Sequence, residues 1–253
     1  MLIDWLQASL RWAAPLLLVS IGEVFSERSG IINMGIEGIM LFGAFFGVAF
    51  SFFTGSVWIA AVITMIIGAF LGVLVAVLTV TRRSNQVVTG LMGNLAATGG
   101  TNLLFAQLSA TRSQRVSTFP VLFPESMHKI PVVGPVLFSQ PVSTWIALAL
   151  PFAAAFVMYR TNWGLKVRAV GDNPQSAATA GISVIKVKYQ TVILSGVFAA
   201  LGGCVLTLGE VGFFASGGMT AGRGFIVLAA VVVGGWDPLR TALTCLMFGA
   251  ADA

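Results

Sequence analysis

The sequence predicts an all-α protein, a polytopic bundle of transmembrane helices. Hydrophobic residues make up 57% of the 253 residues and charged residues only 9%, whereas a typical soluble domain carries about 25% charged residues. The mean hydropathy is +0.94, and long apolar stretches recur along the whole chain. So few charges could not cover a water-facing surface, which excludes a soluble protein.

The apolar stretches fit membrane-spanning helices, each of which needs about 20 residues. We assign candidate helices to residues 5–25, 30–53, 57–80, 86–108, 142–160, 189–209, 225–236 and 239–253. The last two are short, and we expect residues 225–236 to form a half-helix or a re-entrant element. We therefore expect about seven or eight spans in a single transmembrane domain, residues 1–253, with one or more C-terminal spans missing.

The distribution of Lys and Arg between the loops predicts the orientation, because cytoplasmic loops carry an excess of these residues. One set of alternating loops holds Arg28, Arg82, Arg83, Arg160, Lys166, Arg168, Lys186, Lys188 and Arg240. The opposite set holds fewer, namely Arg112, Arg115, Lys129 and Arg223. We therefore expect residues 161–188 to be cytoplasmic, and the N-terminus and residues 109–141 to lie outside.

Two connections are long enough to have a structure of their own. The outer loop, residues 109–141, holds five of the nine prolines, which restrict the backbone and favour a stiff, folded loop. The inner loop, residues 161–188, is the most polar stretch of the chain. Within it, Asn173 suits a helix N-cap, Pro174 the first helical position and Gly181 the C-terminal stop, which predicts a helix of about two turns.

This short helix carries mostly small residues, with basic residues on both sides of it. Such a surface favours docking into a groove of another protein over an ordinary surface helix. The predicted docking helix comprises Asn173, Pro174, Gln175, Ser176, Ala177, Ala178, Thr179, Ala180 and Gly181.

The second candidate helix carries polar residues inside the membrane. Asn33 and Glu37 are four residues apart and share one face of a helix that begins near Gly30. A charged side chain at this depth costs about 3 kcal/mol and usually faces the bundle interior or an aqueous cavity. Asn33 and Glu37 are therefore either pathway residues or partners in a structural hydrogen bond or ion pair. Glu23, at the inner end of the first helix, is expected at the membrane interface.

The fourth candidate helix is the most polar span. Asn94, Thr98 and Asn102 recur every fourth residue and form one stripe, while Gly99 and Gly100 are expected to interrupt the helix and let it bend or unwind. Amide side chains in hydrocarbon need partners, so the stripe faces protein or water. It is a candidate lining for the passage of a polar, uncharged solute, and hydrogen bonding between helices is an equally open explanation.

The sequence contains no set of residues for catalysis. There is no Ser-His-Asp arrangement, no metal-ligand cluster and no phosphate-binding loop, so we expect neither an enzyme, nor a metal or cofactor site, nor ATP hydrolysis by this chain. The basic residues are scattered among short loops and do not form a nucleic-acid-binding surface. Cys204 and Cys245 lie in apolar stretches and are expected to be packing residues.

Three segments resemble the signatures of permease subunits of ATP-binding-cassette (ABC) importers for branched-chain amino acids, simple sugars and nucleosides. Residues 27–44 read ERSGIINMGIEGIMLFGA, residues 168–182 read RAVGDNPQSAATAGI, and residues 220–230 read TAGRGFIVLAA, followed by GGWDP at 234–238. The segments follow the order of that family and span most of the chain. The ERSG opening and the early first helix look most like the smaller permease of nucleoside importers that use basic-membrane-lipoprotein-type binding proteins.

The resemblance implies a solute pathway formed between two permease subunits in a bacterial-type cell membrane. It implies three protein partners: a second, different permease, an ATPase with two nucleotide-binding domains and an extracytoplasmic solute-binding lipoprotein. ATP would be used by the partner ATPase, and residues 173–181 would be the coupling helix seated on it. Members of the family are usually longer than this chain.

Nucleosides are the expected solute on the strength of the resemblance. Simple sugars such as ribose or galactose fit the uncharged stripe equally well, and branched-chain amino acids rank third because the sequence shows no obvious paired charges for a zwitterion. A different class, an autonomous secondary transporter or channel, would need coupling carboxylates or a pore within one chain. Glu37 is the only clear mid-membrane carboxylate in the sequence, which argues against that class.

Overall fold

The computed structural model describes residues 2–108, 116–124, 134–215 and 218–253, and the regular structure in this part of the chain is helical. Short π-helical turns over Val77–Thr81 and Thr207–Val211 directly follow two α-helices, which end at Ala76 and Leu206. We number the α-helices of the described residues α1 (Leu2–Arg28), α2 (Ile36–Thr54), α3 (Val57–Ala76), α4 (Gln86–Gln107), α5 (Val142–Arg160), α6 (Asn162–Asp172), α7 (Pro174–Thr179), α8 (Val184–Leu206), α9 (Arg223–Val233) and α10 (Pro238–Asp252). The all-α bundle expected from the sequence is confirmed.

Five of these helices are long and apolar enough to cross a membrane: α1, α2, α3 with its π-helical turn, α5 and α8. α4 is also long, with 22 residues, but it contains several Gly, Thr and Asn residues. α9 and α10 are about 17 and 22 Å long at 1.5 Å per residue, shorter than the hydrocarbon core of about 30 Å. The two short elements expected near the end of the sequence are therefore present as helices.

α1 and α8 form the centre of the bundle. α8 packs along α1, α2 and α3, and α1 also packs along α10. Small residues allow the close approach: a Cβ on Gly43 would overlap the backbone of Ala200, and one on Gly68 would lie 2.5 Å from the carbonyl oxygen of Gly196. Close backbone packing is the usual source of helix association where lipid supplies no hydrophobic drive.

α4 is a long helix that the other described residues hardly cover. It packs against α2 and makes a few contacts with the turn that ends α3. Its buried residues are Gly90, Ala97 and Thr101, whereas large apolar side chains such as Leu95 and Leu103 are exposed. Most of the α4 surface is therefore available to lipid, to another protein or to a water-filled passage.

Several of the helix ends predicted to be cytoplasmic lie together at one end of the bundle. Trp236, in the turn between α9 and α10, donates its indole N–H to Glu27 Oε2 at the end of α1 (2.7 Å). The Tyr159 hydroxyl, near the end of α5, donates to Asp237 Oδ2 (2.7 Å). We refer to this end, which the distribution of Lys and Arg predicts to face the cytoplasm, as the cytoplasmic end.

Part of the outer loop expected at 109–141 lies outside the described residues, namely 109–115 and 125–133. The described part folds back onto the bundle, where the Val116 N–H donates to the carbonyl oxygen of Gly212 beyond α8 (2.8 Å). The excluded stretches hold Arg112, Arg115 and Lys129.

Candidate solute pathway and coupling surface

The segment between α1 and α2, residues 29–35, leaves the helical path. Gly30 has a φ of +86°, in the left-handed region that favours glycine, and α2 begins at Ile36. The helix start expected near Gly30 is therefore wrong, and Asn33 does not share a helix face with Glu37. Non-helical backbone inside a membrane bundle is tolerated only where protein or water satisfies its peptide groups.

Side chains of neighbouring helices satisfy this non-helical backbone. Each of three side chains makes one hydrogen bond to a backbone N–H or C=O group. In a continuous helix, that group would have bonded to the backbone of the same helix. The bonds run from Ser26 Oγ–H to Ile31 O (2.8 Å), from Asn33 N–H to Glu23 Oε1 (2.8 Å) and from Asn94 Nδ2–H to Met34 O (3.0 Å). Polar residues on α1 and α4 therefore hold the break in place.

Glu23 is the centre of a fully buried polar cluster. Its carboxyl oxygens accept hydrogen bonds from the Asn33 N–H (2.8 Å) and the Ser195 hydroxyl (2.7 Å). The Asn33 amide donates to Ser195 Oγ (3.0 Å), which closes the cluster. Glu23 and Ser195 are 0% exposed and Asn33 is 1% exposed. Glu23 and Asn33 therefore both lie in the protein interior, with the Glu23 carboxyl group and the Asn33 amide engaged in hydrogen bonds.

Glu37 binds the start of α9. Its Oε1 accepts from the Gly222 N–H (2.9 Å) and its Oε2 from the Gly224 N–H (2.6 Å). N–H groups at a helix N-terminus lack partners within the helix and form the positive end of its dipole, so they stabilise a carboxylate. The structural hydrogen bond left open for Glu37 is present, and the side chain is still only half-buried.

The polar residues of α4 differ in their surroundings. Asn94 is half-buried, and its Oδ1 accepts from the Gly38 N–H (2.8 Å), which ties α4 to the first turn of α2. Thr98 is exposed, and its hydroxyl donates to the Asn94 carbonyl of its own helix (2.9 Å). Asn102 is half-buried, about two turns beyond Asn94.

α4 remains helical through Gly99 and Gly100, so the interruption and unwinding expected there are wrong. Among the described residues, no atom lies within 4 Å of the position that a Cβ on Gly99 would occupy, so this side of α4 is open there.

Three of the predicted pathway residues meet around the first turn of α2. Asn33 Oδ1 accepts from the Gly35 N–H (3.2 Å), Asn94 binds Gly38, and Glu37 lies between these two contacts in the chain. Thr98 and Asn102 continue the stripe along α4, away from this point. The structure therefore brings Asn33, Glu37 and Asn94 together, while Thr98 and Asn102 lie further along α4, where Thr98 is exposed and Asn102 is half-buried.

Arg223, expected in an outer loop, occupies the first position of α9. Its Nη2 forms an ion pair with Asp252 at the end of α10 (2.7 Å), and its guanidinium lies 4.6 Å from the centre of the Trp12 ring of α1. A charge inside a bundle is usually paired in this way. Arg223 therefore fastens the α9–α10 hairpin to α1, a role that its sequence position did not suggest.

The first half of the inner loop is a helix that the sequence analysis missed. α6 buries Val167 and Val170, and a Cβ on Gly171 would overlap the carbonyl oxygen of Arg28 at the end of α1. The close contact at Gly171 shows that α6 is fixed against the membrane helices. The spacing of Val167 and Val170 was the available signal, since residues three apart share a helix face.

α7 is the short helix that the sequence predicted. Asn173 Oδ1 accepts from the Ser176 N–H (3.0 Å), Pro174 is the first helical residue and Gly181 has a φ of +79°. Ala177 faces inward with 4% exposure, while its neighbours Ser176 and Ala178 are exposed. α7 therefore presents a surface of small side chains at the cytoplasmic end.

Among the described residues, no three His, Cys, Asp or Glu side chains come together as metal ligands. Cys204 and Cys245 are buried and free. They are packing residues, as expected from the sequence.

Three features of the bundle are those of a membrane permease. A non-helical segment precedes α2, the helix α9 is too short to cross the membrane, and the short helix α7 is exposed at the cytoplasmic end. Residues 6–253 match the family described as "Branched-chain amino acid transport system / permease component". The chain belongs to this family of ABC importer permeases, which confirms the resemblance found in the sequence. It is a multi-pass plasma-membrane transport subunit and not an enzyme.

Known relatives include permeases for different solutes. The chain is 37% identical over 261 residues to the guanosine ABC transporter permease protein NupQ of Bacillus subtilis, covering 97% of this chain and 80% of NupQ. It is 37% identical over 251 residues to the nucleoside ABC transporter permease protein NupC of Lactococcus lactis (95% and 78%). The putative glucose ABC transporter permease protein TsgC13 of Haloferax volcanii is also 37% identical over 251 residues (98% and 75%). No solved structure matches the chain.

Proposed function

We propose that this chain is one of two permease subunits of an ABC importer for nucleosides. Its similarity to the guanosine permease NupQ and the nucleoside permease NupC supports this solute class. The observation that carries the proposal within the structure is the uncharged polar stripe on α4, a helix that the described part of the chain leaves largely open.

The composition of α4 argues for a neighbour other than lipid. The helix carries no Lys, Arg, Asp or Glu, and it is long enough to span, yet it presents Thr98 on an uncovered surface. Polar groups at membrane depth are placed towards protein or a water-filled cavity. The second permease therefore packs opposite α4, and the solute passes between them along Asn94, Thr98 and Asn102, with Glu37 near the inner end of this stripe.

The polar groups along this path suit an uncharged solute rich in hydroxyl groups. Amides and hydroxyls both donate and accept hydrogen bonds, so they can replace the water around a ribose or a nucleobase. A simple sugar has the same chemistry, and the 37% identity to the glucose permease TsgC13 makes it the second candidate.

The coupling surface is α7 with its flanking residues 173–181. Its exposed small side chains allow close docking into a groove of the partner ATPase, which carries two nucleotide-binding domains and uses the ATP. α6 links α7 to the end of α1 through the contact of Gly171 with Arg28. An extracytoplasmic lipoprotein delivers the solute at the opposite end, and this chain itself holds no cofactor.

Solute uptake tests the assignment directly. The chain is expressed with its partner permease, ATPase and lipoprotein in cells that lack their own nucleoside import, and the control cells lack only this chain. We expect accumulation of radiolabelled guanosine that unlabelled glucose does not inhibit. Uptake of glucose without guanosine would replace the nucleoside by the sugar candidate.

A substitution in α7 tests the coupling surface. Ala178 is exposed in the isolated chain, so Ala178→Glu adds bulk and charge without disturbing the interior. We expect solute uptake to be abolished while the amount of protein in the membrane is unchanged. Ala178→Ser is the matched control and retains uptake, since it keeps the surface small. Normal uptake by Ala178→Glu would refute docking at α7.

A further inference from the structure

A cavity of about 410 Å³ lies at the cytoplasmic end, away from the stripe on α4. Three parts of the chain enclose it: the segment that follows α1, the turn between α3 and α4, and the first two turns of α8. Its polar lining residues include Thr79, Arg83, Ser84, Gln86 and Lys188. We propose that this cavity binds the phosphate group of an anionic phospholipid from the cytoplasmic leaflet.

The charge of the cavity favours a phosphate. Arg83 and Lys188 are basic, and none of the lining residues is acidic. Lys188 is half-buried and Arg83 is exposed, and within the described part of the chain neither basic side chain has a hydrogen-bonded or ion-paired partner. A partly desolvated cation without a counter-charge is attracted to an anion more strongly than a fully hydrated one.

The hydroxyl and amide groups of the cavity add hydrogen-bond donors. The Ser84 hydroxyl is exposed beside Arg83. The Gln86 Oε1 already accepts from the Ile32 N–H (2.9 Å), which fixes the amide plane and leaves its NH₂ group to donate. Phosphate oxygens only accept hydrogen bonds, so the donors of this cavity match them.

An adjoining apolar groove identifies a lipid in preference to a soluble phosphate. The groove has a volume of about 610 Å³, lies between α2, α3 and α4, and shares Ser84 with the charged cavity. Its lining includes Phe42, Leu74, Leu78 and Met92. A phospholipid would place its phosphate among the cations and an acyl chain along the groove, whereas a free phosphate would leave the groove unused.

The position along the membrane normal fits this arrangement. Arg83 and Lys188 belong to the basic residues that predict the cytoplasmic side, where the leaflet carries anionic lipids. The groove extends from them towards residues deeper in the bundle. From the cytoplasmic end inwards, the charged cavity is therefore followed by the apolar groove, which is the order of the headgroup and the acyl chain in a phospholipid.

The test compares two double variants with the same change in net charge. Arg83→Gln with Lys188→Gln removes the two cations of the cavity. Arg82→Gln with Lys186→Gln removes two exposed neighbours that do not line it. The full-length chain in nanodiscs of phosphatidylcholine is titrated with phosphatidylglycerol, and bound lipid is measured by native mass spectrometry.

We expect the cavity variant to bind phosphatidylglycerol about 25-fold more weakly, since each of the two cations near an anionic lipid contributes about five-fold. The control variant should lose much less. Equal losses in both variants would show general surface attraction and overturn the proposal. Equal binding of phosphatidylcholine and phosphatidylglycerol by the unmodified chain would also overturn it.

A second experiment, with inorganic phosphate, distinguishes a phospholipid headgroup from a soluble phosphate as the ligand of the cavity. Thermal unfolding is followed in phosphatidylcholine nanodiscs with added phosphate and, separately, with phosphatidylglycerol. Stabilisation by phosphatidylglycerol that requires Arg83 and Lys188 supports the lipid. Stabilisation by inorganic phosphate alone, through the same residues, would assign the cavity to a soluble anion. Similar unfolding temperatures of both variants in pure phosphatidylcholine show that neither has lost its fold.

Discussion

Glu23 and Thr98 are both polar residues in long helices of one bundle, yet their surroundings are opposite. Glu23 in α1 is 0% exposed, and both of its carboxyl oxygens accept hydrogen bonds from elsewhere in the chain. Thr98 in α4 is exposed, and among the described residues its hydroxyl bonds only within its own helix. Polar groups of the first kind hold the fold together, while those of the second kind are available to a solute or a second subunit.

The difference follows from what each helix packs against. α1 lies among α8, α10 and α5, so its polar groups must find partners inside the chain. α4 packs mainly against α2. The comparison therefore predicts that substitutions in the core change stability, whereas substitutions on the open face of α4 change transport.

The largest effect is expected for Glu23→Leu. The change leaves the Asn33 N–H and the Ser195 hydroxyl without their acceptor, and each buried unsatisfied group costs about 1–3 kcal/mol. We expect a loss of roughly 4 kcal/mol in stability and little protein in the membrane. Thermal unfolding in detergent measures the effect.

Glu23→Gln is the matched control, because its amide still offers an acceptor to Asn33 and a donor to Ser195. We expect it to be far closer to the unmodified protein. A Glu23→Leu variant as stable as Glu23→Gln would show that the buried cluster is not what holds the break at residues 29–35.

A smaller loss is expected for Asn94→Leu, at the border between the two regions. The Gly38 N–H and the Met34 carbonyl lose their partner, but the site is half-buried and water or lipid headgroups reach it more easily. We expect about 2 kcal/mol lower stability together with weaker uptake. Unchanged thermal unfolding would remove Asn94 from the residues that hold α2.

A smaller change again is expected for Glu37→Gln, which keeps one acceptor for the N–H groups of Gly222 and Gly224 but loses the charge. An anion at a helix N-terminus contributes about 0.3–1 kcal/mol, so we expect a stability loss of about 1 kcal/mol. If Glu37 also lies on the pathway, the uptake rate falls more than this loss explains. Normal uptake would leave it with the role of fastening α9 to α2.

These cases show which parts of the site the sequence could predict. α7 was predictable because its signals are local: Asn173, Pro174 and Gly181 each act within a few residues. The break before α2 was not, because Glu23 and Asn94 capture its backbone from other helices. The hydrogen bond from Ser195 to Glu23 joins residues that are 172 positions apart in the sequence. A local sequence pattern cannot predict such a contact.

The fold class was predictable for a similar reason, since composition alone indicates a membrane bundle. Helix positions were also accurate where the backbone bonds stay internal, as in α4 and α5. The predictions were wrong where a side chain or a glycine disrupts the backbone hydrogen bonds of a helix, as at Gly30. They were also wrong where contacts with other helices determine the position of a residue, as at Arg223. Sequence patterns therefore located the polar residues but did not separate those that hold the fold from those on its open face.

Thr98→Val gives the smallest change in stability and the sharpest test of that separation. Valine has nearly the same shape, and the lost hydroxyl bond runs to the carbonyl of the same helix, so we expect less than about 0.5 kcal/mol change. Loss of one hydrogen bond to the solute, about 1 kcal/mol, would raise the apparent KM for guanosine about five-fold. Thr89→Val is the matched control, since Thr89 lies on α4 but lines the apolar groove towards α3. A five-fold rise for Thr98→Val alone places the solute on the open face of α4, whereas equal KM values in both variants would leave that face to lipid or to packing against the second permease.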